Sequence, residues 1–154
     1  MRKAVIMLIL LGAVSLPSAG RSFEELMESY GPNKGVVTVA MSESVLQRMA
    51  GRDDNDLLRK LSKLMIISVT APEEDTLRNA FLADAELYAS DGFEELYSVS
   101  TGGSGSRISV YLGADLGKAL MLAEDDVSVL LMEMKGNIDG QMLDALLNNE
   151  IRIK

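Results

Sequence analysis

The sequence predicts an α+β fold: a single domain with a mostly antiparallel sheet of about five to six strands and helices packed mainly on one face. Three observations carry this expectation. The stretch Val127-Ser128-Val129-Leu130-Leu131-Met132-Glu133-Met134 is apolar at nearly every position rather than at alternate ones. A strand of that kind is buried on both sides and belongs at the centre of a sheet. Extended segments also succeed one another from Phe93 to Met134 with only short turns between them, which demands antiparallel pairing. Segments of helical spacing lie elsewhere in the chain and must cover that sheet as a layer.

The elements follow in order. Ser22-Phe23-Glu24-Glu25 fits a capping box, with Ser22 as N-cap and Glu25 reaching back. Phe23, Leu26, Met27 and Tyr30 then fall at helical spacing, and Gly31-Pro32-Asn33-Lys34-Gly35 turns the chain. Val36 to Met41 is short and β-branched, a first strand. Ser42 or Ser44 caps a helix carrying Val45, Leu46 and Met49, and Gly51-Arg52 interrupts it. Asp53 caps a second piece, with Leu57, Leu58, Leu61 and Leu64 along one side and an acidic first turn at the positive end of the helix dipole. Met65 to Thr70 is the second strand, stopped by Ala71-Pro72. Glu73-Glu74-Asp75 opens the longest helix, which reaches about Ser90 along a stripe of Leu77, Ala80, Phe81, Asp84, Ala85 and Tyr88. Asp91-Gly92 stops it.

Phe93 to Ser100 is extended, with Tyr97 and Val99 on one side. Thr101 to Gly105 is a flexible turn. Arg107 to Leu112 alternates, with Ile108, Val110 and Leu112 inward. Lys118 to Ala123 is the hairpin partner of Val127 to Met134, joined to it by Glu124-Asp125-Asp126. Gly136-Asn137 closes the last strand, and Asp139 caps a final helix with Met142, Leu143, Leu146 and Leu147.

The 154 residues suffice for one domain. With no Cys there is neither disulfide nor thiolate chemistry, and with no His the commonest general base and metal ligand are both missing. The net charge of −8 repels phosphate backbones, so nucleic acid is not an expected partner. The first residues have the three-part layout of a secretory signal peptide. Met1-Arg2-Lys3 is basic, Ala4 to Leu16 is apolar or small throughout, and Pro17-Ser18-Ala19-Gly20 offers a cleavage site after Ala19 or Gly20. The apolar run is shorter than the ~20 residues that span a bilayer. The expectation is a signal peptide over 1–20 and a single domain over 21–154. That domain is exported to the periplasm or beyond, without stable membrane insertion. No Cys follows the run, so no lipid anchor is expected.

Candidate chemistry is sparse. Gly102-Gly103-Ser104-Gly105-Ser106 lacks the following helix and the Lys of a phosphate loop and reads as a hairpin turn. Asp53-Asp54-Asn55-Asp56 suggests calcium, but an EF-hand counted from Asp53 needs Gly and Glu where Leu58 and Leu64 stand. Ser62-Lys63 lacks the Ser-x-x-Lys spacing of a nucleophile pair. Carboxylates are plentiful, among them Glu24, Glu25, Glu94, Glu95, Asp125 and Asp126, but sequence spacing cannot set two across a cleft. Asp84, on the apolar stripe, is either a buried functional acid or a residue at the stripe's edge. No cofactor and no metal are expected.

The order of pieces resembles DUF4252, a family of small exported bacterial proteins of unknown function. The resemblance rests on the signal peptide, Phe23-Glu24-Glu25-Leu26-Met27-Glu28-Ser29-Tyr30 and Lys34-Gly35-Val36-Val37-Thr38-Val39. It continues through Met65-Ile66-Ile67, Gly92-Phe93-Glu94-Glu95-Leu96, the Arg107 to Leu112 strand and Leu131-Met132-Glu133-Met134-Lys135-Gly136-Asn137-Ile138-Asp139. It implies export and a single domain and carries no catalytic residue.

Leu130, Met132 and Met134 occupy the second face of the central strand. If helices cover only the other face, these three form an apolar partner surface. The expected function is therefore an exported, non-catalytic binding module with a protein or envelope partner. The alternatives are a carboxylate-dependent hydrolase acting on envelope material and a weak cation-binding module.

Overall fold

Val129 and Leu131 are wholly buried, and the strand that carries them, β6 (Ser128–Gly136), lies third of six across one antiparallel sheet. The computed structural model describes residues 22–53, 56–71, 75–103, 105–114 and 117–138. The described elements run α1 (Phe23–Tyr30), β1 (Val36–Ser42), α2 (Glu43–Asp53), the single turn α3 (Asp56–Arg59), β2 (Leu61–Thr70) and α4 (Thr76–Ser90). After these come β3 (Phe93–Thr101), β4 (Ser106–Gly113), β5 (Lys118–Glu124) and β6. The strand order is β1-β2-β6-β5-β4-β3. The last four strands form a meander, and the β1–β2 pair joins it on the far side of β6. The expected leader and the expected helix after Asp139 lie outside the described residues.

Both sides of the sheet carry core. On one side Phe23, Leu26 and Tyr30 of α1 and Phe81, Ala85 and Ala89 of α4 meet Met65, Ile67, Val69, Leu120, Leu122, Val129 and Leu131. Edge-on ring contacts knit the two helices together, Tyr30 on Phe81 at 4.9 Å and Phe23 on Tyr88 at 5.8 Å. Each large side chain so buried is worth about 1.5–3 kcal/mol. The other side is covered at one end only. There Leu46 of α2 and Ile138 seal Leu61, Leu64, Ala119 and Met134.

The N-terminal cap is the one the sequence announces. Ser22 Oγ accepts from Glu25 N at 3.1 Å, and Glu25 Oε1 accepts from Ser22 N at 2.8 Å. Four expectations require correction. Residues 61–64 belong to β2 and not to a helix: Leu61 pairs with Gly136 and Leu64 with Met134, across a bulge between Leu61 and Lys63. The bulge lets residues three apart bury on the same side, which imitates helical spacing. Gly51 does not interrupt α2, because it lies in open space where a helix tolerates it at ~1 kcal/mol. Asp53 ends α2 rather than capping a second piece. The helix α4 starts at Thr76, with Asp75 as its N-cap accepting from Leu77 N at 2.7 Å. Its buried stripe is Arg78, Phe81, Ala85 and Ala89, while Ala80 is exposed.

Candidate functional site

The register of the sheet fixes where the candidate surface lies. Leu130, Met132 and Met134 point to one side, and each heads a rung of neighbours across the strands. The Met134 rung contains Met41, Leu64, Ala119 and Leu112. The Met132 rung contains Val39, Ile66, Met121, Val110 and Tyr97. The Leu130 rung runs Val37, Ser68, Leu130, Ala123, Ile108 and Val99 across all six strands.

Cover decreases from one rung to the next. Met134 is 3% exposed beneath Leu46 and Ile138, so it is core and not surface. Met132 is half-buried and packs against that cluster. Leu130 is half-buried and joins neither core cluster among the described residues. Its rung ends in exposed apolar residues on both edges of the sheet, Val37 at 60% and Val99 at 47%. The expected partner surface is thus an apolar band centred on Leu130, with Met132 at its border.

A second arrangement lies on the helix-covered side. Glu133 is only 1% exposed, on the same side of β6 as Val129 and Leu131. Tyr88 Oη of α4 donates to Glu133 Oε1, and Lys135 Nζ stands 3.8 Å from Oε2. Burial raises the Tyr88 phenol far above its ordinary range, and the hydrogen bond to Glu133 adds to the shift. Nearby, Lys63 Nζ donates to Glu24 Oε2 at 2.9 Å, a bond that holds the Glu24 carboxyl below its usual value. Tyr88, Glu133, Lys135 and Glu24 line a cleft of about 220 Å³, which is walled by Phe23, Tyr88 and Phe93 and also bears Asp91 and Lys118.

Sequence reasoning passed over this cleft. The available signal was the pair Glu133 and Lys135, two charges on a strand face whose other members, Val129 and Leu131, are apolar. Asp84 is half-buried and accepts from Tyr30 Oη at 2.6 Å, a link between α4 and α1 at the stripe's edge. Among the described residues no group of three or more carboxylates is placed to hold a metal ion, and positions 54 and 55 of the acidic stretch lie outside them. No described helix is long and apolar enough to cross a membrane.

No curated protein and no solved structure matches the chain. A family model does, over residues 30–146, a span from the end of α1 past the last strand. With well over half of its length matched, the chain belongs to the family described as "Domain of unknown function (DUF4252)".

Proposed function

We propose that this protein is an exported, non-catalytic binding module of the periplasm or cell envelope, which holds a protein or envelope partner on the open side of its sheet. One observation carries the reading: the Leu130 rung is apolar in five of its six positions and ends in exposed Val37 and Val99. Exposed apolar patches of this kind mark interaction surfaces. The signal-peptide layout of residues 1–20 supports export.

A photo-crosslinking residue placed at Leu130 in the native host tests the surface. A discrete adduct should form there and not at Leu87, which is exposed on α4. Equal labelling at both positions, or none at either, would overturn the reading. Sequencing the N-terminus of the cellular protein tests export, because the mature chain should begin at residue 20 or 21.

The second reading is a carboxylate-dependent hydrolase acting on envelope material. It is favoured by Glu24, Asp91 and Glu133 lining one cleft. Against it, Lys63 holds Glu24 ionised while Tyr88 and Lys135 occupy the two oxygens of Glu133. A general acid in such a pair needs a raised pKa and a free face. Release of soluble fragments from envelope preparations by wild-type protein, abolished by Glu133→Gln, would favour the hydrolase.

A further inference from the structure

Three lysines stand side by side across neighbouring strands at the end of the helix-covered side. Lys63 pairs with Lys135, and Lys135 pairs with Lys118. Cross-strand partners share a face, and like charges directly opposite are destabilising. Two of the three charges are answered, Lys63 by Glu24 at 2.9 Å and Lys135 by Glu133 at 3.8 Å. Lys118 has no carboxylate within ion-pair distance among the described residues, and it lines the cleft beside Lys135.

We propose that this cleft binds a small zwitterion of amino-acid size, with its carboxylate on Lys118 and Lys135 and its ammonium on Glu24 and Asp91. The size follows from the volume. The cleft of about 220 Å³ is smaller than the ~300–1,000 Å³ of pockets that take drug-sized ligands and accommodates a molecule of a few heavy atoms. The charge pattern selects the class. A phosphate dianion meets Glu24, Asp91 and Glu133 on the walls, and a simple cation meets Lys118 and Lys135. A molecule carrying one charge of each sign satisfies both sets. The rings of Tyr88 and Phe93, 5.7 Å apart, give its side chain an apolar wall. Glu133 is fixed by Tyr88 and serves as the rigid floor that keeps Lys135 in place.

The test uses the full mature chain and four probes: alanine, acetate, methylamine and inorganic phosphate. The protein has four Tyr, whose fluorescence is a sum over all of them, so residue-resolved amide NMR shifts are the signal that reports on Tyr88 itself. Alanine should give saturable shifts at Tyr88, Phe93 and Lys118 in the millimolar range expected of a few-atom ligand. Acetate and methylamine should each bind at least about tenfold more weakly, the worth of one charge-assisted contact. Lys118→Met keeps the aliphatic stem and should weaken alanine by a similar factor with an unchanged thermal melt, while Lys34→Ala should change nothing. Absence of saturable shifts with alanine would overturn the proposal. So would acetate or phosphate binding as tightly as alanine, or full affinity in Lys118→Met. The site lies on the opposite side of the sheet from Leu130, so this outcome is independent of the partner surface.

Discussion

Tyr88 and Glu133 show how much one residue contact decides. The two are brought together by packing α4 onto β6, and the phenol supplies the donor that a carboxylate at 1% exposure requires. Tyr88→Phe keeps the ring and removes the donor, so urea melts should show a loss of about 1–3 kcal/mol. The pH dependence has a definite sign. The folded phenol is raised above the unfolded value of about 10, so its contribution is complete below pH ~10 and lost progressively above it. Alkaline unfolding should be shallower in Tyr88→Phe than in the wild type between pH ~10 and 11.5. Gly136 makes a different demand. Its φ is +152°, and a Cβ there would lie 2.2 Å from the Lys60 carbonyl. Gly136→Ala should cost well above the ~1–2 kcal/mol of a left-handed backbone alone, whereas Gly92→Ala, with φ +92° in open space, should cost only that strain. The Tyr88–Glu133 pair was not legible in the sequence, because residues 45 apart meet only through the tertiary fold.

At the scale of elements, local chemistry was legible and long-range pairing was not. The capping box at Ser22 and Glu25 is written within four residues, so it reads directly. The end of β2 does not: Leu61 and Leu64 have helical spacing, and only the partner Gly136 reveals a bulge. The β5–β6 hairpin falls between these cases. Its turn looked like a plain acidic connection, yet Asp125 Oδ1 accepts from Val127 N at 2.9 Å, Ser128 N at 2.8 Å and Ser128 Oγ at 3.0 Å. Arg78, buried in α4, donates to the Asp125 carbonyl at 2.5 Å and ties the turn to the helix layer. The Val127 amide leads the groups that hold the Asp125 carboxyl below its ordinary value. That contribution is present above pH ~4 and is lost as the pH falls through the lowered folded value. Asp125→Ala should lower stability by about 1–3 kcal/mol at neutral pH, with a smaller difference from wild type at pH ~3.

For the whole molecule, the continuous apolarity of residues 127–134 marked β6 as the centre, and the sheet places it there between β2 and β5. The meander from β3 to β6 was legible because its turns are short. The docking of β2 against β6 was not, since nothing local records which strand pairs with a distant one. The same limit governs the sites. That Leu130, Met132 and Met134 share a face follows from strand periodicity, but the sealing of Met134 depends on Leu46 and Ile138, which approach only in the fold. The lysine cleft draws on α1, α4, β3, β5 and β6 at once and has no sequence signature beyond Glu133 and Lys135 on β6.

The central claim is that β6 divides a covered side from one left open at Leu130. The most direct measurement compares the thermal and urea stability of Leu130→Asp with that of Leu131→Asp, adjacent residues facing opposite ways. Leu131 is 0% exposed, so its substitution should cost more than ~4 kcal/mol and leave the chain largely unfolded. Leu130→Asp should stay folded at a cost of about 1–2 kcal/mol. If Leu130→Asp unfolds the protein as Leu131→Asp does, that side of the strand is core, and the account of an open face is contradicted.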